Sequence, residues 1–167
     1  MSTKTQKKPE PAPIYYLAGP MSGIPKFNYP LFFDTAAKLR KEGHLVVNPA
    51  EQDTPEVMRE VLASETGDIT KLNGPSWGQF LAHDVKLVAD SVDAIIVLPG
   101  WQNSKGACTE VFIATLLGKP VFRGILAMYA NSPPNFSSVS PHSRTVTPGP
   151  LIDKEEISLV LMKKLLA

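Results

Sequence analysis

The chain has 167 residues, of which 43% are hydrophobic and 20% charged, a composition typical of one globular domain of roughly 100–200 residues. Its 17 basic and 16 acidic residues leave a net charge of +1, which excludes the strongly basic surface used to bind nucleic-acid polymers or anionic membranes. The single cysteine excludes an internal disulfide, and the three scattered histidines add no ligand set at zinc spacing.

Three features of the sequence indicate the cellular compartment of the protein. No apolar run approaches the roughly 20 residues of a membrane span, and residues 1–13 lack the apolar segment of a signal peptide. A lone cysteine also suits a reducing compartment. We therefore expect a cytoplasmic protein with no membrane partner.

Proline marks two segments outside the core. Residues 1–13 are polar and carry three prolines, so we predict a flexible N-terminal tail. Residues 131–150 are rich in serine and proline and predict a long surface loop. The remainder of 14–167 is expected to form one domain.

Within that domain, short apolar strands alternate with helices. Buried parallel strands appear as runs of apolar, mostly β-branched residues, whereas Pro30 and Gly43 suit the start and the end of a helix. In chain order, the predicted elements are strand Ile14–Ala18, helix Pro30–Glu42, strand Leu45–Val47, helix Thr54–Ser64, helix Trp77–Ala89, strand Ala94–Leu98, helix Ala107–Leu117, strand Val121–Leu126 and helix Asp153–Ala167. This order predicts the α/β class, as a single Rossmann-like (flavodoxin-like) domain with a parallel sheet flanked by helices.

Glu110 is the first candidate for chemistry. The predicted helix Ala107–Leu117 is apolar nearly all round and carries Glu110 as its single charge. Burying a lone carboxylate is costly, so such a group is usually paired, neutralised or used. Its place in the first helical turn lies at the carboxyl edge of the sheet, where α/β folds bind ligands. A carboxylate held only by local backbone amides is the structural alternative.

Asp84 is the second candidate. Trp77, Leu81, Asp84 and Val88 are spaced four, three and four residues apart, which places them on one stripe of the helix. Asp84 therefore interrupts an apolar face. A structural aspartate that caps a neighbouring element explains the same pattern, and the spacing does not decide between the two. His83 lies one position off the stripe, where a surface histidine is the simpler interpretation.

The loop after the first strand is a candidate binding loop. Glycines and a serine directly after a strand allow the backbone to approach a phosphate or a sugar closely, although tight turns use the same residues. The residues concerned are Gly19, Pro20, Met21, Ser22 and Gly23.

The loop after the third strand is the second candidate binding loop. It fails the P-loop pattern because Ala107 stands where lysine is required. It runs into a helix N-terminus, a general anion site to which Ser104 and backbone amides contribute donors. Trp101 either stacks on a base or covers the edge of the sheet. The binding residues predicted here are Trp101, Asn103, Ser104 and Gly106.

Three other side chains are considered as site residues. Cys108 has no histidine at a useful spacing and is expected to be a core residue. Tyr15 and Tyr16 lie on one strand and point to opposite faces, so one of them can reach the site.

These motifs, taken in order, resemble the nucleoside 2-deoxyribosyltransferase superfamily. The resemblance rests on Tyr16-Leu-Ala-Gly-Pro20, on Asp84 within Leu-Ala-His-Asp-Val, and on Ser104-Lys-Gly-Ala-Cys-Thr-Glu110 ahead of Leu-Gly-Lys-Pro120. It is nearest to a branch frequent in phages and prophages, which shares Asn48-Pro49-Ala50-Glu51 and Leu98-Pro99-Gly100-Trp101. The similarity covers roughly residues 14–122.

The resemblance implies an enzyme that breaks N-glycosidic bonds. It implies Glu110 as the nucleophile, Tyr16 as the residue that positions it, and Asp84 near the base and the sugar. A serine six residues before the glutamate binds the 5′-phosphate in the hydrolases of the superfamily, and Ser104 has that spacing. The expected activity is cleavage of a (deoxy)nucleoside 5′-monophosphate by an N-glycosidase, with the base released to water or exchanged by a deoxyribosyltransferase.

The resemblance also implies partners and conditions for this chemistry. Glu110 must be ionised, and a helix N-terminus with a tyrosine hydroxyl helps to hold it so. Neither a metal nor another cofactor is expected, and relatives build the site across a dimer interface, so we expect a homodimer or a higher homo-oligomer in a bacterial or phage-infected cytoplasm. Residues 131–150 are a hypothetical source of partner contacts. The hydrolases carry an arginine in the glycine loop, where this chain has Met21 and Ser22, so a non-catalytic nucleotide-binding or sensing module is the alternative.

Overall fold

A parallel sheet of four short strands forms the centre of the computed structural model, which describes residues 11–124 and 149–165. The strands are β1 (Ile14–Ala18), β2 (Leu45–Val47), β3 (Ala94–Val97) and β4 (Val121–Arg123), in the order β2-β1-β3-β4. All three strand pairs are parallel. The parallel sheet predicted from the sequence is confirmed.

Five helices flank this sheet within the described ranges. They are α1 (Tyr29–Lys41), α2 (Pro55–Ala63), α3 (Trp77–Asp90), α4 (Lys105–Leu116) and α5 (Lys154–Leu165). The α/β class with a single Rossmann-like domain is therefore confirmed. Helix α4 begins two residues before the predicted start at Ala107, because the hydroxyl oxygen of Ser104 accepts from the Ala107 amide and caps the helix.

The core has two layers, one on each face of the sheet. Tyr16 and Ile95 point towards α3, α4 and α5, whereas Leu17 and Ile96 point towards α1 and α2. The alternation follows from the two-residue period of a strand. Tyr15 and Tyr16 consequently lie on opposite faces, as predicted.

Side-chain caps explain where most helices begin. The Thr54 hydroxyl accepts from the Val57 amide, and Ser76 forms a reciprocal capping box with Gln79. Asp153 accepts from the amide of Glu156, as its spacing predicts, but the Glu156 carboxylate pairs with Arg123 instead of completing a capping box.

Several predicted features cannot be compared with the structure. Residues 1–10, 125–148 and 166–167 lie outside the described part of the chain. Most of the predicted tail, most of the loop at 131–150, the end of the fourth strand and the last helical residues fall there. Among the helices that are described, none is long and apolar enough to span a bilayer.

The order of the strands determines where a ligand site can form. β1 lies between β2 and β3, and the connection from β1 packs on one face while the connection from β3 packs on the other. The loops after β1 and β3 therefore diverge and leave a crevice at the carboxyl edge of the sheet.

Candidate functional site

A cleft opens at this edge, with an empty volume of about 800 Å³ including the part that faces solvent. Residues from the predicted site elements line it: Gly19 follows β1, Asp84 lies on α3, and Ser104 caps α4. Glu110 also lines the cleft, but it lies in the second turn of α4 and not in the first turn as predicted, because the helix begins at Lys105.

Glu110 lines the cleft, and Tyr16 contacts it from the core beneath. The Tyr16 hydroxyl donates to Oε1 of Glu110 at 2.9 Å, and the side chain of Tyr16 is inaccessible to solvent. Glu110 is only 6% exposed. Because Tyr16 comes from a central strand, its ring is fixed by core packing and holds the carboxylate in one orientation.

The two carboxyl groups at this end have raised pKa values. Burial raises the pKa of Glu110 to about 8, the negative charge of Asp84 adds to this, and the Tyr16 hydrogen bond opposes it. Burial likewise raises the pKa of Asp84 to about 7, again opposed by the Tyr16 hydroxyl. The tyrosine favours the carboxylate of Glu110 as predicted, but desolvation outweighs it, so the pair retains a proton near neutral pH.

The loop after β1 contributes some of its predicted binding residues. Gly19, Met21 and Ser22 line the cleft, whereas Pro20 and Gly23 do not. A Cβ atom at Gly19 would lie 2.9 Å from Cβ of Leu98, so this position requires glycine for packing.

The loop after β3 also contributes in part. Ser104 and Gly106 line the cleft, but Asn103 does not. Trp101 is 2% exposed and packs in the core with α4 and α5, away from the cleft. Of the two roles considered for Trp101, the structure favours covering the edge of the sheet. Cys108 is buried in the same core layer, as predicted.

A third carboxylate lines the cleft besides Glu110 and Asp84. Asp53, which follows the short helix Pro49–Glu51, accepts a hydrogen bond at Oδ2 from the hydroxyl of Tyr29. Burial raises the pKa of Asp53, while Tyr29 and the charge of His83 lower it. The charge of Asp53 in turn raises the pKa of Asp84. Asp53 and Asp84 are therefore close enough for their charges to interact.

Aromatic side chains form the walls of the cleft. Trp77 lies at its rim and is 42% exposed, and Phe80 lies one helical turn further along α3. Phe27 is buried beneath, within a turn in which Lys26, Phe27 and Asn28 all have positive φ angles. Such a backbone is costly outside glycine and is typical of functional regions.

Within residues 11–124 and 149–165, no group of three His, Cys, Asp or Glu side chains is placed to hold a metal ion. The polar and aromatic groups that line the cleft are carboxylates, hydroxyls, aromatic rings, the His83 imidazole and the Gln52 amide.

Comparison with known families addresses the chain as a whole. The model of one protein family, described as "Domain of unknown function (DUF4406)", matches residues 13–123, well over half of the chain. The chain belongs to the DUF4406 family. No curated protein and no solved structure matches it. The matched range includes Tyr16, Asp84 and Glu110.

The sequence predicted only part of this cleft. Tyr29, Asp53 and Trp77 line it but were not predicted as site residues. His83, expected to be a surface residue, is exposed as expected and also borders the cleft. Asp53 and Tyr29 are 24 positions apart and belong to different elements. Trp77 offered one signal, since it shares a helical stripe with Asp84.

Proposed function

We propose that this protein cleaves the N-glycosidic bond of a (deoxy)nucleoside 5′-monophosphate, or of the corresponding nucleoside, through Glu110 as a nucleophile. The observation that carries the proposal is the buried pair of Tyr16 and Glu110, joined at 2.9 Å, with Asp84 in the same cleft. A nucleophile fixed by one group and accompanied by a second, protonated carboxyl is the arrangement that glycosidic cleavage requires.

The bond changes can be written for these residues. Because Tyr16 occupies Oε1, Oε2 of Glu110 is available to attack C1′ of the sugar. The C1′–N bond breaks, its electrons leave with the base, and the base takes a proton from Asp84. Water then adds to C1′ and gives a proton to Asp84, while Glu110 leaves as a carboxylate. Attack by a second base in place of water gives transfer.

The active protonation state has one proton on the pair. Glu110 must be ionised to attack and Asp84 must be protonated to donate. Burial raises the pKa of Asp84 to about 7 and that of Glu110 to about 8, so one proton remains on the pair near neutral pH. These values favour the proton on Glu110, so the active form, with the proton on Asp84, is the less populated of the two one-proton states. Burial and the charges of both carboxylates raise the pKa of Tyr16 well above its usual value. Its hydroxyl therefore keeps its proton and remains a hydrogen-bond donor throughout.

The beginning of α4 supports binding of a 5′-phosphate. The Ser104 oxygen accepts from the Ala107 amide at 3.2 Å, which leaves its hydroxyl proton free for a phosphate oxygen. The first amides of α4 and the helix dipole also favour an anion there.

One observation favours a second function, a non-catalytic nucleotide-binding or sensing module. The lining drawn from the described residues includes three carboxyl groups and neither lysine nor arginine. The lining thus lacks the arginine that the resemblance associates with the hydrolases, whereas Ser104 and the first amides of α4 remain available to bind a ligand. Replacing Glu110 separates the two functions, because a sensor keeps its ligand and has no turnover to lose.

We further propose that the protein works as a homodimer or higher homo-oligomer in the cytoplasm of a bacterium, including a phage-infected one. Exposed apolar side chains on α4, Phe112 at 40% and Leu116 at 67%, support self-association close to the site. Light scattering of the purified protein tests this, and a monomer at working concentration contradicts it.

The activity is tested by chromatography of free base. The wild-type protein is incubated with ribo- and deoxyribonucleosides and their 5′-monophosphates, with and without an acceptor base. We expect base release by the wild type and none by Glu110→Ala. Glu42→Gln, an exposed glutamate just after α1, is the matched control and should retain full activity.

Two outcomes contradict the catalytic proposal. If the wild type releases no base from any compound of the panel but still binds ligand, the protein is the sensing module. Equal base release by the wild type and Glu110→Ala indicates a different nucleophile or a contaminating enzyme.

A further inference from the structure

The hydrogen-bonded pair of Asp53 and Tyr29 has no part in the bond changes proposed above. Asp53 is half-buried, Tyr29 is 5% exposed, and both line the cleft. They come from the far side of the crevice, near α1 and α2, whereas Glu110 comes from α4. A carboxylate placed there faces the part of a ligand that does not react.

Tyr29 restricts what Asp53 can contact. Its hydroxyl donates to Oδ2, so Oδ1 is the oxygen left to accept from a ligand. The Tyr29 ring is packed edge-on against Phe33, with centroids 5.9 Å apart, which holds the hydroxyl in place. The acceptor therefore has a defined direction before any ligand arrives.

The surroundings of Asp53 suit a flat aromatic ligand. Trp77 and Phe80 line the same cleft, and the exposed indole of Trp77 is available for stacking at the rim. Base-on-aromatic stacking stabilises binding but does not distinguish one base from another. Selection among bases has to come from a polar group at their edge.

We propose that Asp53, oriented by Tyr29, contacts the edge of the base and selects nucleosides whose base carries an exocyclic amino group. This inference rests on the proposed function, since it assumes that the ligand is a nucleoside or nucleotide with its sugar towards Glu110. It adds the class of substrate: cytosine, adenine or guanine derivatives in preference to uracil, thymine or hypoxanthine.

The selection follows from hydrogen-bond chemistry. A carboxylate accepts hydrogen bonds and cannot donate them, so an amino group opposite Oδ1 is attracted. A carbonyl oxygen in the same place repels the carboxylate and leaves it desolvated without a partner. Sites built on such a polar contact reject the mismatched analogue strongly.

Pairs of ligands in which a carbonyl oxygen replaces the amino group test the proposal. Binding is measured by calorimetry at pH 7.5 for deoxycytidine against deoxyuridine and for adenosine against inosine, each with and without a 5′-phosphate. Glu110→Gln serves as the background, so that turnover does not change the ligand during the titration. We expect the amino member of each pair to bind at least tenfold more tightly.

Two variants in that background locate the source of the preference. Asp53→Asn presents a donor as well as an acceptor, so the ratio within each pair should fall to about one. Asp34→Asn, an exposed aspartate on α1 outside the cleft lining, is the matched control and should keep the ratio. Tyr29→Phe should lower the ratio without abolishing binding, because Asp53 loses its fixed orientation.

The outcomes separate this inference from the proposed function. Equal binding within both pairs, or a preference that Asp53→Asn retains, overturns the role of Asp53 even if the wild type releases base. A preference that depends on Asp53, in a protein that releases no base, upholds the inference and overturns catalysis. No binding of any nucleoside or nucleotide overturns both.

Discussion

The Tyr16 hydroxyl donates to Oε1 of Glu110 at 2.9 Å although the two residues are 94 positions apart. The contact forms because β1 and β3 are neighbours and α4 returns over the face on which Tyr16 points. It joins the centre of the sheet to the first turns of α4. Substitution of either residue therefore affects both the packing and the chemistry of the cleft.

Tyr16→Phe should reduce kcat with little change in KM. The ring stays in the core, but Glu110 loses the donor that orients it. A hydrogen bond to a charged group is worth about 1.5–3 kcal/mol, so we expect a loss of about tenfold to a hundredfold. Because the hydroxyl lowers the pKa of Glu110, the acid limb of the kcat profile should also move to higher pH. Unchanged kcat and pH profile would contradict this role.

The pH dependence of kcat/KM should be bell-shaped. Activity requires one proton on the pair of Asp84 and Glu110, whose pKa values are raised to about 7 and about 8. At lower pH both groups are protonated and the nucleophile is lost; at higher pH both are ionised and the acid is lost. We expect the maximum between these two values. A plateau from pH 5 to 9 would exclude the pair as the catalytic groups.

Glu110→Gln should stabilise the protein at alkaline pH. The folded state holds the pKa of Glu110 at about 8 against an ordinary value of 4.5, so it binds the proton more tightly than the unfolded chain. The stability supplied by the protonated group is present below about pH 4.5 and is lost as the pH rises through 8. Melting curves should therefore show a larger gain for the variant at pH 9 than at pH 5. A gain independent of pH would mean that ionisation is not the cause.

Gly19→Ala should destabilise the fold. The added methyl group would lie 2.9 Å from Cβ of Leu98 and 3.2 Å from the Phe32 ring. Overpacking of this kind costs about 1–3 kcal/mol, measurable by urea unfolding. Gly78→Ala, on the exposed side of α3, has no such neighbour and should be neutral or stabilising. Equal effects of the two substitutions would show that the contact with Leu98 is not responsible.

Local patterns in the sequence predicted most of the fold. Each of the four apolar runs contains one of the four strands, and Thr54 and Asp153, the predicted first residues of two helices, are the residues that cap α2 and α5. These signals are local because strand burial and helix capping depend on residues within a few positions of one another. The expectation that Ser104 binds a ligand remains a prediction, although its role as the cap of α4 is clear.

The sequence by itself determined the α/β class, the buried position of Glu110 and the opposite orientations of Tyr15 and Tyr16. Only the tertiary structure decided which groups meet: it brought Asp53 to Tyr29 and turned Trp101 into the core while Trp77 stayed at the rim. It also decided the proton balance, since the pKa values of Asp84 and Glu110 depend on desolvation and on each other. Periodicity carries information about one element, whereas a site is a set of distances between elements.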